Sequence, residues 1–180
     1  IETSADGAAN IVFVDETNFA VSENARLSID EYVFDPATNE GATDFSVLKG
    51  IFVFTSGLIG REDPDDVNIE TPMGSIGIRG TIIAGNVDNG EITVVEGAIV
   101  LKDFRGNEVT LAKQFETAKF DPSAGTIEHM GEMSADAALP YVGGRTGHGD
   151  ASAVHVTRDG LRHFHANSGG VHLEAGDLVN

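Results

Sequence analysis

The side chains best suited to chemistry lie late in the chain. His163 and His165 stand two apart, so a strand would put both rings on one face. Two imidazoles at that spacing can hold a transition metal, and His155 or His172 could add a third ligand. The plainer reading is a set of surface histidines on a hairpin. A second concentration is acidic: Glu62, Asp63, Asp65 and Asp66 crowd around Pro64. Carboxylates that close repel one another unless a cation sits among them, and Ca²⁺ suits such oxygens. A solvated acidic loop is the alternative. The Ca²⁺-binding β-roll repeat is absent, because Gly143 to Asp150 carries the glycines and the Asp in the wrong register. No EF-hand loop, Gly-x-Ser-x-Gly elbow or phosphate-binding Gly-Lys-Ser/Thr loop occurs. The chain has no cysteine, which excludes disulfides, thiolate metal sites and cysteine nucleophiles. The expectation is a protein that is not an enzyme and requires no cofactor, with Ca²⁺ at the acidic loop as an optional ligand.

The elements that would carry these groups are short strands. Of 180 residues, 22 are Gly and only 5 are Pro, and the apolar set is rich in Val, Ile, Thr and Phe. Apolar runs recur at Asn10–Val14, Phe19–Val21, Leu27–Ile29, Tyr32–Phe34, Phe45–Leu48, Ile51–Phe54, Val67–Ile69, Ile76–Ile83, Glu91–Val95, Ala98–Leu101 and Val109–Leu111. Turn residues separate them, as at Asn89-Gly90 and Arg105-Gly106-Asn107. This predicts an all-β fold, solenoid- or roll-like or sandwich-like. Helix is expected at most for one turn within Ser22–Ile29 and weakly over Leu111–Phe120. Three regions are expected: a β domain over 1–120, a Gly-rich linker or irregular arm over 121–150, and a β-hairpin tail or the start of a following domain over 151–180.

Charge narrows the partners. Asp plus Glu number 29 against 11 Lys plus Arg, a net charge of −18. Such a surface repels nucleic-acid phosphates and anionic lipid, and favours cationic partners. No apolar run has the ~18 residues of a membrane helix, and no signal peptide opens the chain. Ile1–Ser4 reads as mid-domain sequence, as in a piece of a longer precursor.

One segment is unusual. In Ile69–Thr81, glycines fall at 74, 77 and 80, a spacing of three that fits neither a strand face nor a helix face. Each glycine there answers a backbone need such as positive φ, a bulge or close approach. Arg79 sits between two of them and is expected to lie over the backbone in a structural role. Thr71-Pro72 followed by Gly77-Ile78-Arg79-Gly80-Thr81 resembles the core motif of the FecR domain. Glu96-Gly97 resembles the Glu-Gly element of the strand that follows, and Asp15-Glu16-Thr17 stands where that family often has Asp-Gly-Thr. The resemblance covers residues 1–120, with the first strand or two of the domain expected to be missing and an inserted acidic loop at Gly60–Asp66.

The resemblance implies an extracytoplasmic all-β domain without catalytic residues, either secreted, at the cell surface or in the periplasm. The first expectation for its role is a protein-interaction or structural module serving assembly, adhesion or matrix, through a protein partner or self-assembly at β edges. The alternative is the periplasmic sensing domain of a FecR-type sigma-factor regulator that binds an outer-membrane receptor. A metal-dependent enzyme built on the late histidines ranks below both.

Overall fold

The computed structural model describes residues 1–132 and, beyond them, strand residues 156–157, 160–161, 165–167 and 170–172. Strands β1 (Ala9–Val12) and β2 (Asn18–Val21) form a hairpin. They are followed by β3 (Arg26–Phe34), β4 (Gly41–Lys49) and β5 (Ile51–Thr55). A single helical turn, α1 (Leu58–Glu62), and a 3-10 turn (Pro64–Asp66) lead into β6 (Val67–Thr71). Two 13-residue strands, β7 (Gly74–Asn86) and β8 (Glu91–Asp103), come next. The main unit closes with β9 (Glu108–Leu111), β10 (Glu116–Asp121) and β11 (Thr126–Glu132). Two short antiparallel pairs follow: β12 (Val156–Thr157) with β13 (Gly160–Leu161), and β14 (His165–Asn167) with β15 (Gly170–His172).

The long hairpin organises everything else. The first part of β7 pairs with β6 and its second part with β5, while β8 accompanies it along its length. At its start β8 also pairs with β10, and at its end with β9. One sheet therefore has two halves. The first contains β1, β2, β5, β10 and β11, the second β3, β4, β6 and β9, and β7 and β8 run through both. The halves fold face to face. Phe19 of β2 lies 5.1 Å from Phe45 of β4, ring centre to ring centre, and Phe45 lies 6.0 Å from Phe54 of β5. Phe19, Phe45, Phe52 and Phe54 are fully buried, and each contributes on the order of 1.5–3 kcal/mol by burial.

The all-β expectation holds, and the sandwich-like form describes it. The solenoid or roll does not: the described neighbours are antiparallel except β4 with β6, and the sheet stays open rather than coiling. Leu27–Ile29 and Tyr32–Phe34 belong to one strand, interrupted by a bulge between Ile29 and Glu31. Neither helix expectation survives. Asn24 takes φ 54° in a tight turn before β3, and Phe115 takes φ 62°, which breaks any helix across Leu111–Phe120 and turns the chain into β10. The short helix α1 had no periodic signal. Thr126–Glu132 is a strand inside the stretch expected to be an irregular arm from Asp121.

Candidate interaction surface

The FecR-like motif builds the corner at which the sheet folds over. Its pieces act in sequence. Thr71 and Pro72 shape the β6–β7 turn: the Thr71 hydroxyl donates to the Gly74 carbonyl at 2.8 Å and accepts from the Met73 N–H at 3.2 Å. Gly77 and Ile78 then run in regular register with Val100 and Ile99 of β8. Past Arg79 the register shifts, with Gly80 at φ 57° opposite Gly97 at φ 83°. A methyl group at Gly97 would overlap the Gly80 carbonyl oxygen and approach the Thr81 Cα to 2.9 Å. The buried Thr81 hydroxyl donates to the Glu96 carbonyl across the bend. Both strands kink there together, as paired bulges do. The fully buried Ile78 on one side of the kink and Ile83 on the other then face the same core.

Arg79 departs from its expected structural role. Its side chain is exposed and makes no hydrogen bond or ion pair with the described residues. Glu96, across the hairpin, is exposed as well. At the acidic loop, Glu62, Asp63, Asp65 and Asp66 are all exposed, and the Asp63 carboxylate caps the 3-10 turn by accepting from the Asp65 N–H at 3.0 Å. Among the described residues no three His, Asp or Glu side chains converge as a metal site. His163 lies outside the described residues. The backbone of His165 pairs with that of His172 in β14–β15.

Two polar nodes were not singled out in the sequence. The first joins β1 to β3. The buried Asp15 carboxylate accepts from the Thr17 N–H at 3.1 Å, the Thr17 hydroxyl at 2.7 Å and the Tyr32 hydroxyl at 2.9 Å. The Tyr32 oxygen in turn accepts from the Asp15 N–H at 3.2 Å. Burial pushes the Tyr32 hydroxyl up from its ordinary value, and the Asp15 carboxylate beside it adds to the rise against the opposing N–H bond. The phenol therefore keeps its proton and serves as donor. Glu16 between them holds φ 71°, the position where the family's glycine would stand without strain.

The second node ties the end of the main unit together. The Glu116 carboxylate accepts from the Ala112 N–H at 2.8 Å and the Lys113 N–H at 3.0 Å, and meets His129 Nε2 of β11 at 2.7 Å. Burial pushes its carboxyl up, but those N–H groups and the His129 ring outweigh it and hold it below its ordinary 4.5. Nearby, Phe120 is 2% exposed and reaches both ends of the bent hairpin. Its ring lies against Gly74, and its N–H donates to the Gly90 carbonyl at 2.9 Å.

Besides β9 and β11, which pair with one strand each, the sheet has two further borders. The strand order ends with β1 on one side and β3 on the other. Their inner side chains meet, with the Phe13 ring, just past β1, 4.7 Å from that of Tyr32. Ile11, Phe13, Tyr32 and Phe34 pack on the core yet stay only half-buried. Val12, Val14 and Val33 beside them are 65%, 79% and 58% exposed.

The family model for the FecR protein matches residues 1–100. The chain belongs to the FecR family. The corner residues fall inside that match. No curated protein matches the chain. The fold of this FecR domain is similar to two crystal structures from Parabacteroides distasonis ATCC 8503, each of a protein provisionally assigned as an anti-sigma factor. One, at 2.50 Å resolution, has TM-score 0.61 and 10% identity, covering 98% of each chain. The other, at 1.65 Å, has TM-score 0.60 and 11% identity, covering 98% of this chain and 99% of that one.

Proposed function

We propose that this FecR domain is the extracytoplasmic sensing part of a FecR-type regulator, and that it acts by binding protein rather than by catalysis. The observation that carries the reading is the family match over residues 1–100, which includes the corner where the sheet bends. Folds shared with anti-sigma factors over 98% of the chain support the same direction. The assembly, adhesion or matrix role expected first from the sequence finds no such support, so the regulatory alternative replaces it. A periplasmic location fits a domain whose described residues include no helix long and apolar enough to cross a membrane.

The test is calorimetric titration of the 180-residue chain with the periplasmic signalling segment of the outer-membrane receptor encoded with it. A companion assay is a transcription reporter for the cognate sigma factor. Binding in the micromolar range, with a reporter that responds to loss of the domain, is expected. No heat and an indifferent reporter would sink the proposal.

A further inference from the structure

Three turns meet beside the closed ends of the bent hairpin: Pro72–Met73 between β6 and β7, Phe104–Asn107 between β8 and β9, and Pro122–Gly125 between β10 and β11. They enclose a cleft of about 100 Å³. Pro72, Met73, Pro122 and the buried Phe120 line it, together with Phe104, which is 74% exposed. No other described aromatic ring lies as open to water.

The turns are fixed from within. The Asp103 carboxylate accepts from the Arg105 and Asn107 N–H groups, both at 2.9 Å, and from the Asn107 side chain at 2.7 Å. Arg105 crosses to the next turn, where its Nη1 donates to the Ala124 carbonyl at 3.0 Å. Its guanidinium lies so close to Gly125 that a Cβ there would come within 2.1 Å of Cζ. That positive charge is committed to the wall of the cleft. Asp121 is different. Its Oδ1 accepts from the Ser123 and Ala124 N–H groups, at 2.9 and 3.0 Å, and from the Ser123 hydroxyl, while its Oδ2 accepts no hydrogen bond from the described residues. The Ser123 hydroxyl and the Ala124 N–H hold this carboxyl below its ordinary value, so it is charged at neutral pH.

Size and charge define the occupant. Clefts for cofactors and metabolites run to about 300–1,000 Å³, so this one suits a single side chain. An open aromatic face beside an unshared carboxylate oxygen suits a flat cation with an apolar stem. The net charge of −18 draws a basic partner and repels a second copy of this chain.

We propose that the cleft takes up an arginine side chain from a segment of a partner protein, flanked there by apolar residues. Its stem crosses Met73 and the Phe104 ring, and its guanidinium meets the Asp121 Oδ2. This rests on the reading of the chain as a protein-binding sensor and gives that sensor a docking point.

The experiment is amide chemical-shift mapping on the 180-residue chain with three probes: the peptide Gly-Leu-Arg-Leu-Gly, the same peptide with Glu in place of Arg, and the receptor signalling segment. Shifts confined to residues 73, 103–107 and 120–126 are expected with the Arg peptide and the receptor segment, with the Glu peptide at least about tenfold weaker. Phe104→Ala should weaken both binders roughly tenfold without moving the unfolding midpoint, since the ring is exposed. Asp121→Asn keeps an acceptor for the turn and should weaken the Arg peptide about fivefold. Thr110→Ala on β9 should change neither. Equal binding of the Glu peptide, Arg-peptide binding indifferent to Phe104→Ala, or the same shifts on self-association would each overturn the proposal. Receptor binding that leaves these turns unshifted would overturn the docking point and keep the sensor. Arg-peptide binding at the cleft, with no response to the receptor segment, would keep the cleft and remove the sensor.

Discussion

At Gly97 the corner is packed so closely that a single methyl group has no room, whereas at the β1–β3 seam aromatic side chains stand half in water. Both regions border the same core. At the corner Thr81 is held twice, its hydroxyl by the Glu96 carbonyl across the kink and its carbonyl by the Ser56 N–H at 3.0 Å. At the seam β1 pairs only with β2, β3 takes only the short stretch Ile1–Thr3 beside its first residues, and the apolar rim is partly covered. The difference teaches where to look for function. The residues that identify the family are there to fold the sheet.

The strongest way to break the contrast is to insert a methyl group at the corner. Gly97→Ala must tolerate φ 83° and displace the Gly80 carbonyl, so a loss of about 3 kcal/mol or more is expected in urea unfolding. A mild effect would mean the corner is softer than its packing implies. Tyr32→Phe at the seam removes the hydroxyl between the Asp15 carboxylate and N–H, and should cost about 1–3 kcal/mol in the same assay. The third measurement is acid titration of stability. The Glu116 carboxyl is held below its ordinary value when folded, so its contribution is complete above pH 4.5 and is lost as pH falls through the lower folded value. Glu116→Gln should flatten that acid limb. Glu16→Gly relieves the positive φ next to the buried Asp15 and should raise stability by about 1 kcal/mol. Smallest of all, Arg79→Ala should change unfolding by less than about 0.5 kcal/mol, because the side chain is exposed and makes no hydrogen bond or ion pair with the described residues. A larger loss would return Arg79 to a structural role.

Much of this architecture was legible in the residues. Alternation located the strands from β1 to β9, and glycines spaced by three announced a backbone constraint where β7 bends. Glu91–Val95 and Ala98–Leu101 read as two strands because the kink at Glu96-Gly97 interrupts alternation without ending β8. β11 escaped because an edge strand with Glu128, His129 and Glu132 exposed carries no apolar face to count. The Asp15–Tyr32 node was hidden for another reason: its members lie 17 residues apart and meet only through pairing order. The seam is hidden in the same way, since an edge is a property of topology and not of composition. Arg79 was expected on the backbone because a guanidinium close to two glycines can lie down there, and its side chain is exposed.

Phe120 has a consequence for the order of assembly. It joins the beginning of β7 at Gly74 to the turn before β8 at Gly90, and it lies 20 residues beyond the end of the family match. The bent hairpin can form by local zipping, but nothing latches its two ends until β10 arrives. Contacts that close loops this long form late and slowly. A chain delivered N-terminus first would hold nine strands in a half-open clamshell until the β10–β11 hairpin docks. The kinetic barrier of this domain should therefore sit in its last hairpin. A chain ended at residue 100 would carry the whole recognisable motif and still fail to shut.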